Sequence, residues 1–140
     1  GDSMIENIIE KTNEAKALLK EVKQVSWTED ARARLKSLLK KAVCCKLMIA
    51  EDEADEIRKL VILSIKQQSK EDAALPDHMI QSKIEKYDCH QSSLVSQKKT
   101  LLILFIEREL GLHFSDEEAI KIKTIDDLCS AVIRSSRAGE

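Results

Sequence analysis

Seven side chains of this sequence could bind metal or act as nucleophile and base: Cys44, Cys45, Cys89, Cys129, His78, His90 and His113. Zinc sites use cysteines and histidines at short, paired spacings, and no Cys-x-x-Cys or equivalent spacing occurs. Cys89 and His90 are chain neighbours, whereas a nucleophile and its base meet in space rather than along the chain. Cys44 and Cys45 point in different directions on a helix and are poor disulfide partners. The thiols therefore read as reduced, small apolar side chains. The 25 acidic residues form no carboxylate pair that stands apart, and no glycine-rich phosphate loop is present. The chain reads as a non-enzyme. The remaining reactive groups are the serine hydroxyls at Ser92, Ser93 and Ser96, which open a strongly apolar helix.

The elements that position those serines are helical. Apolar residues make up 43% and charged residues 34%, a balance that supports a packed core. Three glycines and one proline, Pro76, leave little material for hairpin turns, and aromatics at 3% force a core of Leu, Ile, Val and Ala. The expected class is all-α. A formal charge of −2 supplies no general attraction to nucleic acid or anionic membranes. No apolar run reaches the ~20 residues of a membrane span, and no signal peptide is visible, so the expected location is cytoplasmic.

Ile5, Ile8, Ile9, Leu18, Leu19 and Val22 recur at helical spacing and predict an amphipathic helix over 4–25. Thr28 reads as the cap of a second helix with Leu35, Leu38, Leu39, Ala42, Cys45 and Ile49 on one face. The two should form an antiparallel hairpin. The acidic run at residues 51–56 predicts a break, and suits the start of a third helix that presents Ile57, Leu60, Val61 and Ile65. Residues 67–91 are polar and irregular, with a short helix expected within 77–86. A strong helix then runs from 92 or 93 to Leu110 and stops at Gly111. Ser115 caps Asp116-Glu117-Glu118, and Thr124 caps the last helix. Six consecutive apolar residues, Leu101 to Ile106, cover a whole helix circumference and predict burial on nearly all sides. The N-terminal hairpin is the nearest element able to cover the surplus.

Phe114-Ser115-Asp116-Glu117-Glu118-Ala119 resembles the Ile-Pro-Asp-Glu-Glu-Ala signature of acyl carrier proteins. Ile122-Lys123-Thr124-Ile125-Asp126-Asp127-Leu128 is similar to that family's Ile-x-Thr-Val-x-Asp-Leu. The resemblance is specific over residues 101–133 and covers about the last half of the chain. It implies an acyl-carrier-like four-helix bundle at residues 53–140, with residues 1–52 as an N-terminal helical hairpin. It further implies a 4'-phosphopantetheine arm that carries an acyl or aminoacyl group and is served by acyl- or aminoacyl-transferring enzymes. The family attaches the arm at Asp-Ser-Leu. Here Ser92-Ser93-Leu94 stands in that place, so Ser93 is the implied attachment residue. Counting back from Phe114 without a gap reaches Ser96 instead. A helix start, with unpaired N–H groups and a positive dipole end, suits a phosphodiester. Ser92 replaces the family's aspartate, and Lys98 and Lys99 replace its acidic residues. The alternative function is an armless helical module for protein–protein interaction.

Overall fold

In the computed structural model, backbone is described for residues 2–73 and 94–138. The expected helix within 77–86, and Ser92, Ser93, Cys89, His78 and His90, lie outside the described residues. Among the described residues the protein is all-α, with six α-helices, one 3-10 turn and no strand. The helices are α1 (Asp2–Gln24), α2 (Arg32–Lys46), α3 (Ile57–Ala73), α4 (Leu94–Leu110), α5 (Asp116–Lys121) and α6 (Ile125–Ala138). No described helix is long and apolar enough to cross a membrane.

α1 and α2 form the expected hairpin. Ala15, Leu19 and Val22 recur every three or four residues on α1 and are buried, Leu19 and Val22 in one apolar cluster with Leu35, Leu38, Leu39, Ala42 and Val43 of α2. Ile5, Ile8 and Ile9 are exposed, contrary to the reading of one continuous buried stripe. The reason is unequal length. The Cys45 thiol donates to the Lys11 carbonyl (3.3 Å) and Lys46 Nζ to Thr12 Oγ1 (3.2 Å), so α2 runs out opposite Lys11. The preceding residues of α1 extend about 14 Å past the end of their partner. Thr28 is extended and its side chain caps nothing. Instead, Glu29 of the 3-10 turn takes both Nε and Nη2 of Arg32 (2.8 and 3.0 Å). Trp27 folds back on α1 and donates Nε1–H to the Val22 carbonyl at 2.9 Å.

The break after α2 is a Schellman turn. Met48 N–H donates to the Cys45 carbonyl and Ile49 N–H to the Cys44 carbonyl, both at 3.0 Å. This places Met48 at φ 60, a left-handed position usually held by glycine. The acidic run lies in the connection, before the helix rather than inside it, and α3 opens at Ile57. α4 ends in the same motif with the expected residue: Leu112 N–H donates to the Glu107 carbonyl (2.8 Å) and Gly111 sits at φ 69.

The starts of α3 and α6 are joined by an isolated antiparallel bridge between Glu56 and Thr124. Ile57 N–H donates to the Lys123 carbonyl and Ile125 N–H to the Asp55 carbonyl, both at 2.9 Å. Ile57 and Ile125 thereby enter one core that also contains Leu35, Leu60, Ile106 and Leu128. α2 packs on α6, and α4 lies between α3 and α1. Phe114, Ile122, Leu128 and Val132 are all buried in the core.

The two Schellman turns make opposite predictions. A left-handed conformation costs a residue with a Cβ about 1–2 kcal/mol, part of which glycine returns through its freer unfolded chain. Met48→Gly should raise unfolding stability by about 0.5–1 kcal/mol, and Gly111→Ala should lower it by about 1 kcal/mol. Urea denaturation of the two variants measures both.

Candidate functional site

α4 presents two different surfaces. Val95, Leu102, Ile106 and Leu110 are buried in the core, while Leu101 is 66% and Leu104 49% exposed. Burial on nearly all sides is therefore not what the helix adopts. α1 covers part of the surplus, with Lys46 of α2 set 4.8 Å over the Phe105 ring, and the rest is left open. Covering a cylinder completely takes more neighbours than α1 and α3 provide.

Along the open side, Ser96, Lys99, Thr100, Ile103, Leu104 and Glu107 follow one another at helical spacing and form one wall of a groove. α5 and the loop before it form the other wall through His113, Phe114, Asp116 and Ile120. The groove holds about 360 Å³, within the range of small-molecule sites. Its floor is apolar, with Ile103 and Phe114 buried, and Ile120 stands 72% exposed on the rim. A larger hollow of about 640 Å³ beside Leu112, Lys121 and Arg134 contains no buried residue, so it has no apolar floor.

Two reciprocal caps hold the α5 wall. The Ser115 hydroxyl accepts the Glu118 N–H (3.2 Å), and the Glu118 carboxylate accepts the Ser115 N–H (3.4 Å). One turn on, the Thr124 hydroxyl accepts the Asp127 N–H (2.9 Å). Asp127 Oδ2 in turn accepts the N–H groups of Lys123 (3.0 Å) and Thr124 (3.1 Å). Both caps were legible as Ser/Thr followed by an acidic residue at the third position.

The two ends of the groove differ in charge. At the α4 C-terminus, His113 Nδ1 lies 3.6 Å from Glu107 Oε2, and the Glu107 side chain is largely buried. At the other end Lys99 faces the repulsion of Lys123. Burial, with that repulsion added, lowers the proton affinity of Lys99, and Asp127 opposes the shift only in part. Burial lowers that of Lys98 as well, although Lys98 turns away and donates to Gln68 Oε1 of α3 at 2.7 Å. His113 and Glu107 thus line one end of the groove and Lys99 the other. Lys123 was not singled out from sequence. Only the turn after α5 brings it beside Lys99.

Ser96 lines the groove and its carbonyl accepts the Thr100 hydroxyl at 2.9 Å. Ser93 immediately precedes the described part of α4, so this structure bears only on Ser96. The thiols are far from reactive form. Burial, reinforced by its hydrogen bond to Glu14, pushes Cys45 up to about 11, and burial raises Cys44 and Cys129. Among the described residues no grouping of three His, Cys, Asp or Glu side chains could hold a metal. No family model, curated protein or solved structure matches the chain.

The Asp127 cap makes a pH prediction. Partial burial raises its proton affinity, but the backbone donors of Lys123 and Thr124, the Thr124 hydroxyl and the Lys123 charge together outweigh it, so the carboxyl is held below 3.8. Its stabilising contribution is complete above the unfolded value near 3.8 and is lost as pH falls through the lower folded value. Asp127→Ala should cost about 1 kcal/mol at pH 7, and the deficit should shrink on acidification below pH ~4. Thermal melts of both proteins over that range measure it.

Proposed function

We propose that this chain is an acyl-carrier-like protein that holds an acyl or aminoacyl group on a 4'-phosphopantetheine arm attached to Ser93, with Ser96 as the alternative. In this reading α3, α4, α5 and α6 are the four carrier helices and the α1–α2 hairpin is an extension packed on the second of them. The observation that carries it is the Ser96-bearing face of α4, which opens into an apolar groove walled by the capped acidic helix α5. The residues at that end suit a phosphodiester: Ser96 carries a hydroxyl that could bear it, and Lys99 supplies a cation on the same face. When attached, the arm would supply a terminal thiol to which the cargo is thioesterified. Lys99 would orient its phosphate, and the apolar floor would receive the cargo chain. The partners are acyl- or aminoacyl-transferring enzymes. Because Lys98 and Lys99 lie on the helix that meets them, their docking surfaces should be acidic there.

A second reading is an armless carrier-like module used for protein–protein interaction. Exposed Leu101, Leu104 and Ile120 favour it, as an apolar patch beside a groove is a common docking feature. Ser92 in place of the family's aspartate favours it as well.

Intact mass after incubation with coenzyme A and a promiscuous phosphopantetheinyl transferase separates the two. The carrier reading expects a gain of one arm mass, lost in Ser93→Ala and kept in Ser96→Ala, or the reverse. A folded chain with no gain overturns the carrier and leaves the interaction module.

A further inference from the structure

The solvent side of α4 carries a pattern that the core does not use. Leu94, Gln97, Leu101, Leu104 and Arg108 are all exposed, and they follow one another at alternating spacings of three and four. On a regular helix these five fall within a stripe about 80° wide, opposite the buried Val95, Leu102, Ile106 and Leu110. Alternation of three and four is the spacing of a coiled-coil seam, along which one helix meets another over its length. The face toward the core is already separate, so this seam is a second one. Leu94, Leu101 and Leu104 are 36%, 66% and 49% exposed along it. Gln97 and Arg108 make no side-chain hydrogen bond or ion pair among the described residues.

The order of residues along the seam selects what fits it. In a parallel pair of such helices each residue meets its own copy, so Arg108 would stand against the partner's Arg108. In an antiparallel pair about a two-fold axis, Leu101 meets the partner's Leu104 and Gln97 meets the partner's Arg108, each pairing occurring twice. Two central leucine layers are then closed at both ends by an amide oxygen that accepts from a guanidinium. The next layer outward sets Leu94 over the partner's Gly111. Gly111 is exposed, and a Cβ built on it would meet nothing within 4 Å, so the space for a leucine is there. Every layer is matched when the seam is reversed on itself, which is what a two-fold interface requires. Ile120 of α5, 72% exposed on the rim it shares with Leu104, adds apolar area at the flank.

We propose that the exposed seam of α4 binds a second copy of this chain, antiparallel, about a two-fold axis between Leu101 and Leu104. α4 is about 25 Å long, and a single helix face falls short of the ~800 Å² per partner of a tight complex. The pair is therefore a reversible dimer with a Kd of about 10–100 µM. Ser93 and Ser96 are not among the five seam positions, so the proposal rests on neither reading of the arm. It is measured on the unmodified chain, and its failure and that of the mass-gain experiment are independent of each other.

Sedimentation velocity of the unmodified full chain, from about 5 to 500 µM, tests this. The expected result is a shift from monomer to dimer across that range and no larger species. Leu101→Asp puts a carboxylate into both central layers and should leave a monomer throughout. Its circular dichroism melt should stay close to the parent's, because the position is exposed. Gln97→Glu sets a carboxylate against the partner's Arg108 and should tighten the dimer about three- to tenfold, whereas Arg108→Glu should weaken it. A monomer at the highest concentration would overturn the proposal, as would growth beyond the dimer. Dimerisation unchanged in a folded Leu101→Asp variant would overturn it too. So would weakening by Gln97→Glu, the result a parallel pairing gives.

Discussion

The arrangement depends on the backbone bridge between Glu56 and Thr124. A helix start leaves N–H groups without intrahelical partners, and two starts brought together can satisfy each other. Here Ile57, the first residue of α3, donates to Lys123, two residues before α6, and Ile125, the first residue of α6, donates back to Asp55, two residues before α3. Each such bond is worth about 1 kcal/mol net, but leaving a buried donor unpaired costs more. The pairing therefore fixes the entry of two helices to within a hydrogen-bond length. Ile57 and Ile125, each fully buried, are delivered side by side as the consequence.

The hairpin docks on that junction rather than beside it. Arg32 of α2 donates to Asp126 Oδ1 (3.1 Å) and to the Ser130 hydroxyl (3.0 Å), while Glu29 holds its other edge. Lys36, one turn later, lies 3.6 Å from Asp55, the residue before the bridge, and 3.8 Å from Asp126 in the first turn of α6. These half-exposed ion pairs contribute little energy each. Their effect is to set the rotation of α2, whose Leu35, Leu38 and Leu39 supply the buried area that stabilises the docking. The bridge also fixes the residue before it, Lys123, whose charge repels that of Lys99 on α4.

α4 shows how far a local pattern reaches. Its apolar run is long enough to demand cover on every side, yet α1 and α3 supply cover on two, and α1 is itself overhung beyond the end of α2. Of the uncovered remainder, Leu104 with Ile120 of α5 forms the apolar rim of the groove, and Leu101 stands exposed outside it. A surface that in a larger bundle would be core is here available to a ligand or partner.

Features carried by neighbours in the chain were legible in advance. The Ser115 and Thr124 caps and the Gly111 stop each depend on residues within five positions, where the chain itself fixes the distance. Tertiary structure decided what depends on lengths and partners. Ile5, Ile8 and Ile9 have the spacing of a buried stripe, but burial requires an opposing helix and α2 is too short to be one. Met48 takes a left-handed position that no propensity would assign to methionine, because the turn into α3 must close there. Lys99 and Lys123 stand 24 positions apart, and their charges meet only because the bridge and the two caps bring the α5–α6 turn back against the first turns of α4. Periodicity reports which face of a helix is apolar. It does not report whether anything lies opposite that face, and the candidate site exists where nothing does.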